Sequence, residues 1–133
     1  MPTYNSNNFR PPAPFALVTI RNQSTGESTS NVPMLIDTGA DITIVPLQIV
    51  EQLRITQEDD ADYEVAGFNG ASTVLMAVRL EMLFCHKTFR GRFLAQEREW
   101  GVVGRNVLNS IALLLDGPNL MWRDYGGSVV AVD

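Results

Sequence analysis

The chain has 133 residues, 45% of them hydrophobic, and a formal charge of −5 from 15 Asp and Glu against 10 Lys and Arg, which suits one domain around a single core and leaves little room for two. The basic residues are scattered rather than clustered, so nucleic-acid binding is not expected. One cysteine and one histidine exclude an internal disulfide and fall short of a metal-ligand set, so no metal or other cofactor is expected.

In chain order, residues 1–14, "MPTYNSNNFRPPAP", are rich in Asn and Pro without a hydrophobic period, and read as a flexible N-terminal arm or a peripheral extended segment. "FALVTIRNQ" (15–23) has the β-branched content of a strand, "STGESTSN" (24–31) reads as a turn, and "VPMLID" (32–37) reads as the returning strand. "PLQIVEQL" (46–53) predicts a short helix with Pro46 at its first position and one apolar face. "TQEDDAD" (56–62) reads as an acidic, exposed stretch, followed by a hairpin with arms 63–66 and 72–84 and a glycine-bracketed tip. A strand over 88–95, a strand, glycine turn and short helix over 101–109, and a last strand pair over 111–122 complete a mainly β domain, closed or nearly closed. There is no basic start followed by an apolar stretch and no run of about 18 apolar residues, so a soluble, cytoplasmic protein without a membrane span is expected.

The chemistry narrows to carboxylates. Cys85 and His86 are neighbours in a predicted strand and should face opposite ways, which prevents a base-activated nucleophile. No Gly-x-Ser-x-Gly elbow and no phosphate-binding Gly-rich loop with Lys-Ser/Thr is present. What stands out is "MLIDTGADITIVP" (34–46), an acid inside an otherwise apolar, strand-like run. A buried, unpaired carboxylate costs several kcal/mol or stays protonated, so Asp37 calls for a partner or a chemical role. Thr38 adds a hydroxyl and Gly39 permits a tight turn, although three letters alone also describe an ordinary turn.

The longer pattern resembles the retropepsins, the single-domain aspartic proteases of retroviruses and their cellular and prokaryotic relatives. Three elements carry the resemblance, from about Phe15 to Trp122: the loop "LIDTGADITIVP", the glycine-rich "AGFNGAS", and "VVGRNVL", where two hydrophobic residues lead through Gly104 to Arg105, Asn106 and a helix. "GRNVLNSIALLLDGP" is closest in wording to small bacterial, in particular cyanobacterial, members. The resemblance implies a retropepsin-like closed β-barrel, the acid protease fold, with one or two short helices and a flap hairpin. It implies a protease domain over 15–123, with residues 124–133 as a C-terminal tail or a dimer-interface strand built on Val129, Val130 and Val132.

For the site, it implies that Asp37 is catalytic and that Thr38 locks two active-site loops together. Gly39 would lie along the substrate backbone, with Ala40 and Asp41 lining the same cleft. Arg105, after Gly104, would pair with Asp41 near the dimer interface, and Val102 and Val103 would pass beneath the loop. Gly67, Phe68, Asn69 and Gly70 would form a flap tip over the substrate, with Val65, Val74 and Ile44 as pocket-lining guesses; the same glycines also suit a hairpin that never moves.

The chemistry needs two carboxylates around one water, and the chain has one Asp-Thr-Gly. The expected enzyme is therefore a homodimeric aspartic endopeptidase acting on extended peptide or protein substrates. The alternative is a catalytically silent retropepsin-fold peptide-binding or dimerisation module; a small-ligand β-barrel in which Asp37 is only a turn acid is a third reading.

Overall fold

In the computed structural model the described residues are 2–66 and 72–125. Among them, ten strands and two short helices follow one another as β1 (Tyr4–Asn5), β2 (Ala13–Arg21), β3 (Ser28–Ile36), β4 (Ile44–Pro46), α1 (Leu47–Gln52), β5 (Gln57–Ala66), β6 (Ser72–Phe84), β7 (Lys87–Gln96), β8 (Gly101–Val103), α2 (Arg105–Leu108), β9 (Leu113–Asp116) and β10 (Met121–Asp124).

Eight of these strands form one sheet in the order β1-β2-β3-β8-β4-β7-β6-β5, and an additional β2–β6 pairing closes six of them into a ring. The closing contact spans Thr19–Arg21 against Glu81–Leu83. Closure leaves the ring strands few free edges, which suits a small β domain. It also gives each strand an inner face: Val18, Ile20, Val32, Met34, Val45, Val78, Leu80, Met82 and Val103 gather inward as one buried core. Each such side chain contributes about 1.5–3 kcal/mol of burial. A smaller cluster of Leu75, Ala77 and Leu94, with Ile44 against it, lies apart from this core.

Polar residues that interrupt the pattern are paired. Glu81 is 3% exposed and receives Arg21 Nε at 2.7 Å and Arg90 Nε at 2.7 Å. Both arginines hold its carboxyl below the usual carboxylate range, Arg21 foremost. Glu58, at the start of β5, accepts Arg92 Nε at 2.7 Å and also pairs with Arg79. Arg79 and Arg92 face one another across β6 and β7, so Glu58 separates two like charges that would otherwise repel. These long-range pairs explain why the acidic 56–62 stretch, read from sequence as an exposed segment, forms the first half of a strand.

Local chemistry sets the boundaries. α1 buries Val50, and Leu53 behind it, while Pro46 sits one residue before the helix as its N-cap, not in its first turn. Arg54 takes a left-handed conformation (φ 53), and Ile55 N–H reaches Val50 O at 3.0 Å, a Schellman-type end. Cys85 and His86 are not inside a strand. Both have positive φ, 53 and 61, and they form the two-residue turn between Phe84 and Lys87, the type I′ geometry that suits the twist of a hairpin.

Residues 2–5 lie against the body. Tyr4–Asn5 pair with Ala13–Pro14, Thr3 bridges Met121, and Trp122 N–H donates to Pro2 O at 3.2 Å. Phe9 packs edge-on against Phe15 and Trp100, with ring centroids 5.8 and 5.2 Å away. No helix among the described residues is long and apolar enough to cross a membrane.

Candidate active site

β3 runs parallel to β8, with Leu35 beside Val102 and Ile36 beside Val103. β4 returns antiparallel to β8 at Ile44 and Val102. The chain between β3 and β4, residues 37–43, is thus a loop whose two ends are fixed on the same strand. Asp37 opens it: its N–H donates to Val103 O at 3.1 Å, and its carbonyl accepts the Ala40 N–H at 3.2 Å.

The Asp37 carboxylate accepts the Gly39 N–H through Oδ1 at 2.8 Å. A Cβ on Gly39 would stand 3.1 Å from that same oxygen, so glycine allows the carboxylate to lie tightly over the turn. The sequence suggested a buried acid. In the single chain Asp37 is only half-buried, because β3 ends at Ile36 and the loop turns outward, leaving Thr38 and Gly39 exposed.

Residues 37–41 are held from behind by Val103, Arg105 and Asn106. Arg105 N–H donates to Ala40 O at 2.8 Å and Asn106 N–H to Asp41 O at 3.2 Å; these first-turn amides of α2 lack helical acceptors and take loop carbonyls instead. The Arg105 side chain donates to Thr38 O at 2.6 Å and pairs with the Asp41 carboxylate. Arg105 and Asp41, expected as partners, are therefore together, and the arginine also reaches the residue beside Asp37. Asp41 is 83% exposed at its side chain, so the pair contributes little stability and mainly fixes the loop's shape.

Gly104 is required by this approach. A Cβ there would lie 2.8 Å from the Ile42 carbonyl carbon and 2.9 Å from Ala40 O, too close without moving the loop. Gly101 is similarly enclosed: a Cβ at that position would collide with Ile44 O and the Met34 side chain.

Thr43 was not singled out from the sequence, and Asn106 entered only as part of the Val-Val-Gly-Arg-Asn element, with no role of its own. Thr43, with no exposed surface, donates both its N–H (2.9 Å) and its hydroxyl (2.7 Å) to Asn106 Oδ1, and its hydroxyl accepts the Gly104 N–H at 3.0 Å. The available signal was a lone hydroxyl in the apolar run "ITIV", which must find partners if buried.

β5 and β6 pair up to Ala66 and Ser72; the residues expected at a flap tip, Gly67, Phe68, Asn69 and Gly70, lie outside the described residues, as do Val129, Val130 and Val132. A broad groove of about 1420 Å³, lined by Tyr4, Leu17, Leu83, His86, Trp100 and Trp122 among others, includes none of residues 37–43. The candidate site is therefore defined by its carboxylate and not by cavity size.

A family model described as aspartyl protease matches residues 18–92, more than half of the chain and a segment that contains the Asp37 loop. Among solved structures, the chain is similar to the EIAV protease complexed with the inhibitor HBY-793, at 19% identity and a TM-score of 0.59, over 81% of this chain and 92% of that one. At that identity the likeness speaks for the fold. No curated protein matches the chain. With its Asp-Thr-Gly loop inside the matched segment and its strand ring sharing the fold of a retroviral protease, this chain belongs to the aspartyl protease family and is retropepsin-like.

Proposed function

We propose that the chain is an aspartic endopeptidase that hydrolyses peptide bonds in extended polypeptides, active as a homodimer to which each protomer contributes one Asp37. The observation that carries this reading is how the loop spends its two acids. Asp41 is engaged by Arg105, whereas the Asp37 carboxylate receives the Gly39 N–H and stands at the outward end of β3. Water activation between carboxylates needs a second acid opposite Asp37, and the loop supplies none. A second copy related by a twofold axis supplies one without any new sequence.

One Asp37 carboxylate then accepts a proton from the attacking water while the other, protonated, hydrogen-bonds the scissile carbonyl and stabilises the charge that develops there. Two carboxylates about 3 Å apart cannot both ionise cheaply, the known behaviour of aspartic-protease dyads, so the pair holds one proton between them. Thr38, exposed beside Asp37, meets its counterpart across the axis. Gly39 and Ala40 present backbone to a substrate strand, as β-augmentation requires. Residues 15–123 form the protease domain, residues 1–14 its N-terminal arm, and residues 124–133 a C-terminal tail or interface strand. Ile42, 37% exposed, and Leu114, Leu115 and Leu120, at 39–49%, are apolar surface that a second copy would cover.

The test is cleavage of a mixed peptide library by wild type and Asp37→Asn across pH and enzyme concentration. The expected result is a bell-shaped pH profile, loss of activity in the variant, and a more than proportional fall on dilution. Adding excess Asp37→Asn protein to wild type should also depress activity by forming mixed dimers. Undiminished hydrolysis by Asp37→Asn sinks the mechanism; a folded, dimeric wild type that cleaves nothing favours the silent binding module.

A further inference from the structure

We infer that Asn106 is a positioning residue for Asp37, acting through the oxygen of its side-chain amide. This rests on the proposed catalytic role of Asp37; the contacts themselves do not. Hydrogen-bond logic fixes which way the amide faces. The Gly104 N–H can only donate, so the Thr43 hydroxyl accepts from it at 3.0 Å and has one proton left to give, which goes to Asn106 Oδ1 at 2.7 Å. The Thr43 N–H is also only a donor and reaches the same oxygen at 2.9 Å. Both contacts demand an acceptor, so position 106 must present oxygen and not nitrogen.

Together with its backbone N–H on Asp41 O at 3.2 Å, Asn106 ties α2 to the far end of the loop. The near end is tied by Val103 to Asp37 and the middle by Arg105 to Thr38 and Ala40. Without the Asn106 oxygen, Val103 and α2 still hold the loop from Asp37 to Asp41, but where it enters β4 Thr43 keeps only the Gly104 N–H on its hydroxyl and the Leu94 N–H on its carbonyl, so the hold on that end is weakened. That loosening reaches Asp37 through the Asp37–Ala40 and Asp37–Gly39 hydrogen bonds, which cross-link residues 37–40.

The exposure pattern separates positioning from simple stabilisation. Asn106 is exposed whereas Thr43 is fully buried. Water entering after removal of the side chain can satisfy Thr43, but it is not tethered to α2. The link is then lost even where stability changes little.

The experiment compares Asn106→Asp, which keeps an acceptor oxygen at the same place, with Asn106→Leu, which keeps the approximate shape and has none. Asn22→Ala is the control: Asn22 loses comparable hydrogen bonds, to Leu53 O at 2.9 Å and from the Ser24 N–H at 2.8 Å, at the opposite end of the β2–β3 hairpin from Asp37. Amide exchange over residues 37–43 is measured first, because it needs no catalysis. Asn106→Leu is expected to speed it at least tenfold, with Asn106→Asp and the control within threefold of wild type. Kinetics follow on folded protein above the dimer concentration: kcat should fall roughly 10–100-fold for Asn106→Leu, the scale of a small misplacement of reacting groups, with KM changed less than threefold and with recovery in Asn106→Asp.

Wild-type exchange in Asn106→Leu, or equal damage from the two substitutions at this position, overturns the inference. A wild type that cleaves nothing, with the exchange pattern as expected, overturns the functional reading and leaves the positioning of the loop by Asn106 standing.

Discussion

Replacing Thr43 with Val isolates one hydrogen-bonding hydroxyl behind the candidate catalytic loop. The shapes match, so the packing around a fully buried side chain is retained. What changes is that the buried Gly104 N–H loses its acceptor at 3.0 Å. Asn106 Oδ1 keeps the Thr43 N–H and is not orphaned. An orphaned buried donor costs about 1–3 kcal/mol, a substantial part of a total stability of roughly 5–15 kcal/mol. At this chain length each kcal/mol moves Tm by about 3–5 °C, so Thr43→Val is expected to melt roughly 3–15 °C below wild type. Thr43→Ser keeps the hydroxyl and gives up one methyl group, about 0.8 kcal/mol, and should fall between the two. The assay is thermal unfolding by circular dichroism at one fixed protein concentration, since dimerisation makes Tm depend on concentration. A Thr43→Val protein as stable as wild type, or more stable than Thr43→Ser, would refute the claim that this hydroxyl holds Gly104.

Stability should also fall with acid through Glu81. Its folded-state pKa lies below the ordinary value of 4.5 because of Arg21 and then Arg90; the stabilisation is therefore complete above that ordinary value and is lost as pH drops through the lower, folded one. In acid titrations followed by fluorescence, Glu81→Gln should show a shallower loss of stability below the ordinary value of 4.5, and an unchanged slope would argue against the pairing. Cys85 should be slow to alkylate: burial first, then Asp124, push its thiol up to about 11 against a smaller opposing effect of Lys87. At about pH 8 the thiolate is then on the order of one part in a thousand. Iodoacetamide should label native protein far more slowly than protein in denaturant, and equal rates would contradict the partly buried setting.

The sequence was most informative where local pattern and tertiary role agree. The strand into Asp37, the helix after Pro46 and the Val-Val-Gly-Arg-Asn element were all legible because their apolar spacing and glycines have local causes. The Arg105–Asp41 pairing was reached through family resemblance, and the structure brings the two side chains together. The rest depends on partners distant in sequence. Nothing local to "QEDD" announces that Glu58 will sit between Arg79 and Arg92, so an acidic strand reads only as an exposed stretch. Cys-His carries no turn signal, and the two strands on either side impose the positive φ values. Thr43 went unnoticed, and Asn106 was seen only as part of its motif with no role, because what matters is that they meet each other from 63 residues apart. Asp37 was read as a buried acid because the run around it is apolar, and that run does not show that the strand ends one residue earlier, at Ile36.

The ties that brace residues 37–41 from outside their own loop come from residues 103–106, roughly half a chain length after Asp37. A ribosome working at about 5–20 residues per second takes several seconds to cover that interval. Throughout it, the acid exists without the brace that shapes its loop. The order of the chain thus delays bracing of the candidate loop until most of the ring has been synthesised.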